Sequence, residues 1–223
     1  DKFGSNTEQT FCKEIDRVLN NNVDVIKLLR DGIQFTWGAH VKLCYFKPAS
    51  KLNPNLEKLY NSNKLSIIRQ LFYSAKNKGE KGKKNSIDLV LFINGIPITT
   101  IELKNSLTNQ TIKDAINQYK YDRKPLGEPL LREGRVLVHL AVDTDEAAMT
   151  TKLNNSKTIF LPFNRGNNGR SGNQTIKDEF KTAYLYKDFD NQKAIFSKDV
   201  ILDIIGNLAQ KDNGSLIFPR YHQ

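Results

Sequence analysis

Cysteine is scarce in this chain: Cys12 and Cys44 are the only two among 223 residues. Two thiols so placed form neither a disulfide framework nor the paired spacing of a zinc site, so reduced thiols in a cytoplasmic protein are expected. Histidine is equally thin, with His40, His139 and His222 scattered. His139 falls in an apolar run, where a satisfied core imidazole is the expectation, not a catalyst. No serine or cysteine sits in a nucleophile motif. No apolar run approaches the ~20 residues that a bilayer span needs, and no secretory signal is present, so no membrane partner is expected. A complete phosphate-binding Gly-x-x-x-x-Gly-Lys-Ser/Thr sequence is missing, which argues against ATP hydrolysis by these residues. Internal repeats are absent. Acid is in deficit, with 24 Asp and Glu against 34 Lys and Arg, a net charge of +10. Such an excess attracts polyanions, nucleic acid being the usual one.

What is present reads as one large domain, or one with an appendage. Residues 7–30 predict a helix, with Thr7 as cap, Glu8 in the first turn, and Phe11, Ile15, Val18 and Leu19 as an apolar stripe. Residues 33–46 predict one or two strands, Asn53-Pro54 a turn, and 65–72 a strand or short helix. Residues 76–84 form a basic, glycine-containing loop, either a solvated tip or a phosphate contact through Lys81, Lys83 and Lys84. Thr111 with Asp114 opens a helix through about residue 122. The apolar run 135–142 predicts a central strand, reached from the strand before that helix by a crossover and so parallel to it. Strands near 147–152 and 158–161 follow. Residues 163–173, rich in Gly and Asn, form a surface loop whose Arg165 and Arg170 could take phosphates. An amphipathic helix spans 197–209. The pattern is α/β, a mixed central sheet flanked by helices.

The densest signal is Ser86-Ile87-Asp88-Leu89-Val90-Leu91-Phe92-Ile93, then Asn94-Gly95, then Ile96-Pro97-Ile98-Thr99-Thr100-Ile101-Glu102-Leu103-Lys104. Two β-branched runs around Asn-Gly predict a hairpin. Asp88, Glu102 and Lys104 are costly charges in a half-buried strand unless paired or holding a metal. Asp88 and Glu102, with the Leu103 carbonyl, are oxygen donors of the kind Mg²⁺ prefers. Lys104, two residues beyond Glu102, would share its face and could orient a water or steady a phosphate. A continuous two-residue hairpin would instead place Glu102 on the face opposite Asp88. The site therefore requires a three-residue loop or a bulge, and Pro97, lacking an N–H, suits a break there. A plainer arrangement stands beside it: Asp88 and Lys104 as a cross-strand ion pair, with Glu102 on a solvated edge.

Ile87-Asp88-Leu89-Val90, Phe92-Ile93-Asn94-Gly95-Ile96-Pro97 and Ile101-Glu102-Leu103-Lys104-Asn105 resemble the PD-(D/E)XK nuclease core of the R subunit of type I restriction-modification enzymes. Gln118-Tyr119 with Asp122-Arg123, Ala141-Val142-Asp143-Thr144-Asp145, Phe160-Leu161-Pro162-Phe163-Asn164-Arg165-Gly166 and Phe218-Pro219-Arg220-Tyr221-His222-Gln223 extend the likeness. The resemblance implies a restriction-endonuclease-like fold over residues 1–196, with 197–223 a helix and linker toward ATP-dependent motor domains that are not in this sequence. It implies Asp88 and Glu102 as ligands of Mg²⁺ (Mn²⁺ may substitute), Lys104 as catalytic lysine, and Gln118 as the glutamine of the following helix. The tyrosine usual four residues after that glutamine is Asp122 here. Glu8 or Glu14 would be the first-helix glutamate near the metal. The implied activity is cleavage of double-stranded DNA, coupled to ATP-driven translocation, beside methyltransferase and specificity subunits. Lys81, Lys83, Lys84, Arg123, Arg165 and Arg170 are candidate DNA contacts. A docking module of nuclease fold without activity alone, and a stand-alone repair or junction nuclease, are the alternatives.

Overall fold

Where the apolar spacing predicts one helix over 7–30, two form: α1 (Thr7–Asn20) and α2 (Val25–Asp31). Asp24 makes the break, extended in backbone and accepting the Lys27 N–H at 2.9 Å, as a helix cap does. The computed structural model describes residues 7–21, 24–35, 38–50, 52–74, 85–189 and 192–221. The basic loop with Lys81, Lys83 and Lys84 lies outside them. The next region holds only a short antiparallel ribbon, β1 (Ile33–Gln34) with β2 (His40–Val41). Asn53-Pro54, expected as a turn, instead starts α3 (Pro54–Ser62). The Asn53 side chain accepts the Asn55 and Leu56 N–H groups, and Pro54 takes a first-turn position where its missing N–H has no consequence.

The frame of the molecule is a six-stranded mixed sheet whose strands lie side by side in chain order. They are β3 (Leu65–Phe72), β4 (Ser86–Ile93), β5 (Ile96–Leu103), β6 (Val138–Val142), β7 (Ala147–Thr150) and β8 (Leu161–Pro162). β5 and β6 run parallel, and every other pair is antiparallel. The parallel step needs a crossover, and α4 (Ile112–Asn117) begins it. The helix then widens, the Arg123 N–H reaching back five residues to the Gln118 carbonyl at 3.0 Å. β6, flanked on both sides, is buried along its whole length, so Val138, Leu140 and Val142 each contribute about 1.5–3 kcal/mol.

At the hairpin, Asn94 and Gly95 take positive φ of 49° and 82°, the backbone a two-residue connection demands. One main core joins α2, the sheet and a late helix, α5 (Lys198–Asp203), which widens through Leu208. Ile201, Leu202, Ile204 and Ile205 pack in the same cluster as Leu28 and Leu29. Arg30 closes that helix's end, donating to the Ile205 and Ala209 carbonyls at 2.6 Å each. A last ribbon, β9 (Gln210–Asp212) and β10 (Ser215–Ile217), follows. Among the described residues no helix is long and apolar enough to cross a membrane.

Candidate active site

The turn holds two residues, so the register must break elsewhere, and it does. Ile93 pairs with Ile96 and Phe92 with Pro97, but Leu91 pairs with Thr99, leaving Ile98 as an extra residue in β5. Beyond the bulge Leu89 faces Ile101, which sets Asp88 across from Glu102. The ladder stops there. In its place the Asp88 carboxylate accepts the Leu103 N–H at 2.8 Å through Oδ2. Its Oδ1 accepts from Gln70 Nε2 at 2.8 Å.

Glu102 is fully buried. Its Oε1 accepts from Arg123 Nε at 2.7 Å, and its Oε2 is buried with no hydrogen-bond partner. Burial pushes the carboxyl up from 4.5 to about 7; Arg123 pulls it down, and the neighbouring Asp88 charge pushes it up again. Arg123, which burial alone would make easier to deprotonate, is held more firmly charged by Glu102. Beneath the pair, Thr100 Oγ1 lies 2.8 Å from the Tyr119 hydroxyl and 2.7 Å from His139 Nδ1. Burial pushes His139 down to about 3, so it is a neutral core imidazole, as the sequence suggests. This network ties the widened end of α4 to β5 and β6. The other end is fixed by Asp143, just past β6, whose Oδ2 accepts the Ile112 N–H at 2.7 Å. The Asp114 carboxylate accepts the Thr111 N–H at 2.7 Å, completing the expected capping box.

The sequence-predicted residues divide accordingly. Asp88, Glu102 and the Leu103 backbone converge at the end of β4 and β5. Gln118 begins the widened turn, its Oε1 buried without a partner. Lys104 is half-buried, its N–H bound to the Val142 carbonyl at 2.9 Å. The Asp114 carboxyl is held low chiefly by the Thr111 N–H and in smaller part by Lys104, which places that ammonium within electrostatic reach of α4. The plainer Asp88–Lys104 pair with a solvated Glu102 is not what forms: Glu102 is buried on Arg123, and Asp88 bonds Gln70 and Leu103. Arg123, expected as a DNA contact, is itself buried and spent on Glu102. Arg165 stacks about 6 Å from the rings of Tyr184, Phe189 and Tyr221. Arg170 is exposed in the Gly/Asn loop. Glu14 pairs with Arg17, and no described contact brings Glu8 or Glu14 to Asp88 or Glu102.

No motif in the sequence points to Gln70 or to the pairing role of Arg123. A glutamine in a strand carries no motif; the usable signal was register, since Gln70 lies opposite Asp88. The donor set suits a hard cation: carboxylates on Asp88 and Glu102, with a buried, donor-less oxygen on Glu102. Among the described residues no group of three or more His, Cys, Asp or Glu is placed to hold a metal. An ion here would draw the rest of its shell from water and substrate.

A family model described as type I restriction enzyme R protein N terminus matches residues 4–158. The chain belongs to that family. One curated relative is the type I restriction enzyme MjaIXP endonuclease subunit of Methanocaldococcus jannaschii, 37% identical over 78 residues. The match takes in 35% of this chain and 7% of the relative, so the chain covers a small part of that relative's length.

Proposed function

We propose that this domain is a Mg²⁺-dependent endonuclease of the PD-(D/E)XK kind, cutting double-stranded DNA within a type I restriction complex. The observation that carries the reading is the Ile98 bulge, which brings Asp88 and Glu102 across from one another where the ladder ends. Asp88 and Glu102 would hold the metal, with the Leu103 carbonyl as a further oxygen. When bound, such an ion lowers the pKa of a water and offsets charge on the scissile phosphate. The chain's own groups do the rest. The Leu103 N–H and Gln70 orient Asp88, and Arg123 holds Glu102 Oε1 and favours its ionised form. Lys104, charged and half-buried at the strand end, steadies the phosphate or orients the water, and Gln118 offers a buried acceptor oxygen. Translocation, ATP use and site recognition belong to other parts of the complex, including its methyltransferase and specificity subunits.

One observation favours a second reading, a DNA-docking module of the same fold: Glu102 Oε1 already has a buried charge partner in Arg123. Crystals soaked in Mn²⁺ separate the two. Anomalous density between Asp88 and Glu102, lost in Glu102→Ala while DNA binding persists, supports the nuclease. Carboxylates that stay on Arg123 and Gln70 and bind nothing support docking.

A further inference from the structure

Gln70 has a backbone that its place in the fold does not explain. It lies within β3, a strand otherwise paired along β4, yet its φ is 50°, the left-handed region that glycine and asparagine favour. The pairing runs Arg69 with Leu89 and Leu71 with Ile87, and the missing step between them is Gln70 with Asp88. The strain therefore sits at the β3 position that faces the candidate metal carboxylate. Two side-chain bonds accompany it. Gln70 Nε2 donates to Asp88 Oδ1 at 2.8 Å, and Gln70 Oε1 accepts from Ser86 Oγ at 3.0 Å.

Strained backbone persists only where its surroundings over-determine it. Here Asp88 lies past the end of the β4–β5 ladder, so on that side its carboxylate is held by side-chain and Leu103 N–H contacts alone. Between the Leu103 N–H on one oxygen and Gln70 on the other, that carboxylate has a single setting. The Glu102 carboxyl lies beside it, its pKa raised by burial, by the Asp88 charge and by a hydrogen bond between the two carboxyls when one is protonated. A cation there would take the place of that shared proton.

Resting on the nuclease reading, we infer that Gln70 is a positioning residue for the metal site, its strained backbone kept because the amide holds Asp88 in a ligating orientation. The bond stays outside the inner shell: glutamine donates a hydrogen bond to the ligand and leaves the metal to the carboxylates. Groups in that role change metal affinity about 10–100-fold when removed.

The test uses the whole chain, with Mn²⁺ titrated calorimetrically at about pH 8, where Glu102 is ionised, and with melting followed in parallel. Gln70→Gly removes the amide and relieves the backbone; Gln70→Met removes the amide and keeps the strain. Both should weaken Mn²⁺ binding about tenfold, while Gln70→Gly melts no lower than the parent. Gln70→Asn, which tolerates the left-handed region and keeps an amide, should recover part of the affinity. Unchanged affinity in Gln70→Gly and Gln70→Met overturns the inference and leaves the nuclease reading standing. A parent chain whose Mn²⁺ affinity is no better than that of Glu102→Ala overturns both.

Discussion

Glu102 and His139 are buried titratable groups whose effects on stability run in opposite directions. The folded Glu102 keeps its proton up to about pH 7, whereas unfolded it releases it near 4.5. Its stabilisation is complete below 4.5 and is lost as pH rises toward 7. His139 is neutral down to about 3 when folded but titrates near 6.5 unfolded. Its stabilisation is complete above 6.5 and is lost as pH falls. Between about 4.5 and 6.5 the two slopes cancel, each worth about 1.4 kcal/mol per pH step. Urea midpoints of the parent should therefore be nearly flat across that range. Glu102→Gln should leave stability rising with pH, and His139→Gln should leave it falling. A parent with either slope would mean that one of the two groups is ordinarily solvated. Arg123→Met belongs to the same pair. It strands the Glu102 charge, so it should cost about 3 kcal/mol at about pH 8. At about pH 5, where Glu102 carries a proton, the loss should shrink. Equal losses at both pH values would assign Arg123 a packing role alone.

At the scale of the element, the bulge at Ile98 keeps Glu102 in step with Asp88, because a ladder that paired Ile98 would put Glu102 on the opposite face. Deleting Ile98 takes out the extra residue itself, so Leu91 stays across from Thr99 and Asp88 across from Glu102. The deletion variant should therefore keep the cooperative far-ultraviolet melt of the parent; one that loses it would show that the bulge does more than set the register. This break was legible in the sequence because strand parity is exact arithmetic and Pro97 marks where a ladder yields. The hairpin and the crossover were legible too, since each is written in a short local pattern. The break between α1 and α2 was missed because one apolar stripe runs through both, and only Asp24's cap separates them. Asn53-Pro54 suits a turn and a helix start equally well, and its local sequence does not choose between them. Gln70 and the burial of Arg123 could not be read at all. Both depend on what lies across the sheet, and a polar side chain's local sequence says nothing of its partner.

At the scale of the molecule, the net charge of +10 bears on a DNA partner. Binding that rests on lysine and arginine releases counterions, so affinity for duplex DNA should fall at least about tenfold between about 50 and about 200 mM salt. Affinity that ignores salt would remove the electrostatic argument for nucleic acid. Placement also matters: Gln70, Asp88, Glu102, Leu103, Gln118 and Arg123 all fall between residues 70 and 123. By contrast the main core joins Val25 to Phe218. A growing chain would thus deliver every member of the site in one continuous stretch, well before α5 arrives to cover α2. The candidate site also leans on β6 and Asp143, which hold β5 and the start of α4, so its corner can close once residue 143 has been made, before the helix that covers α2 exists.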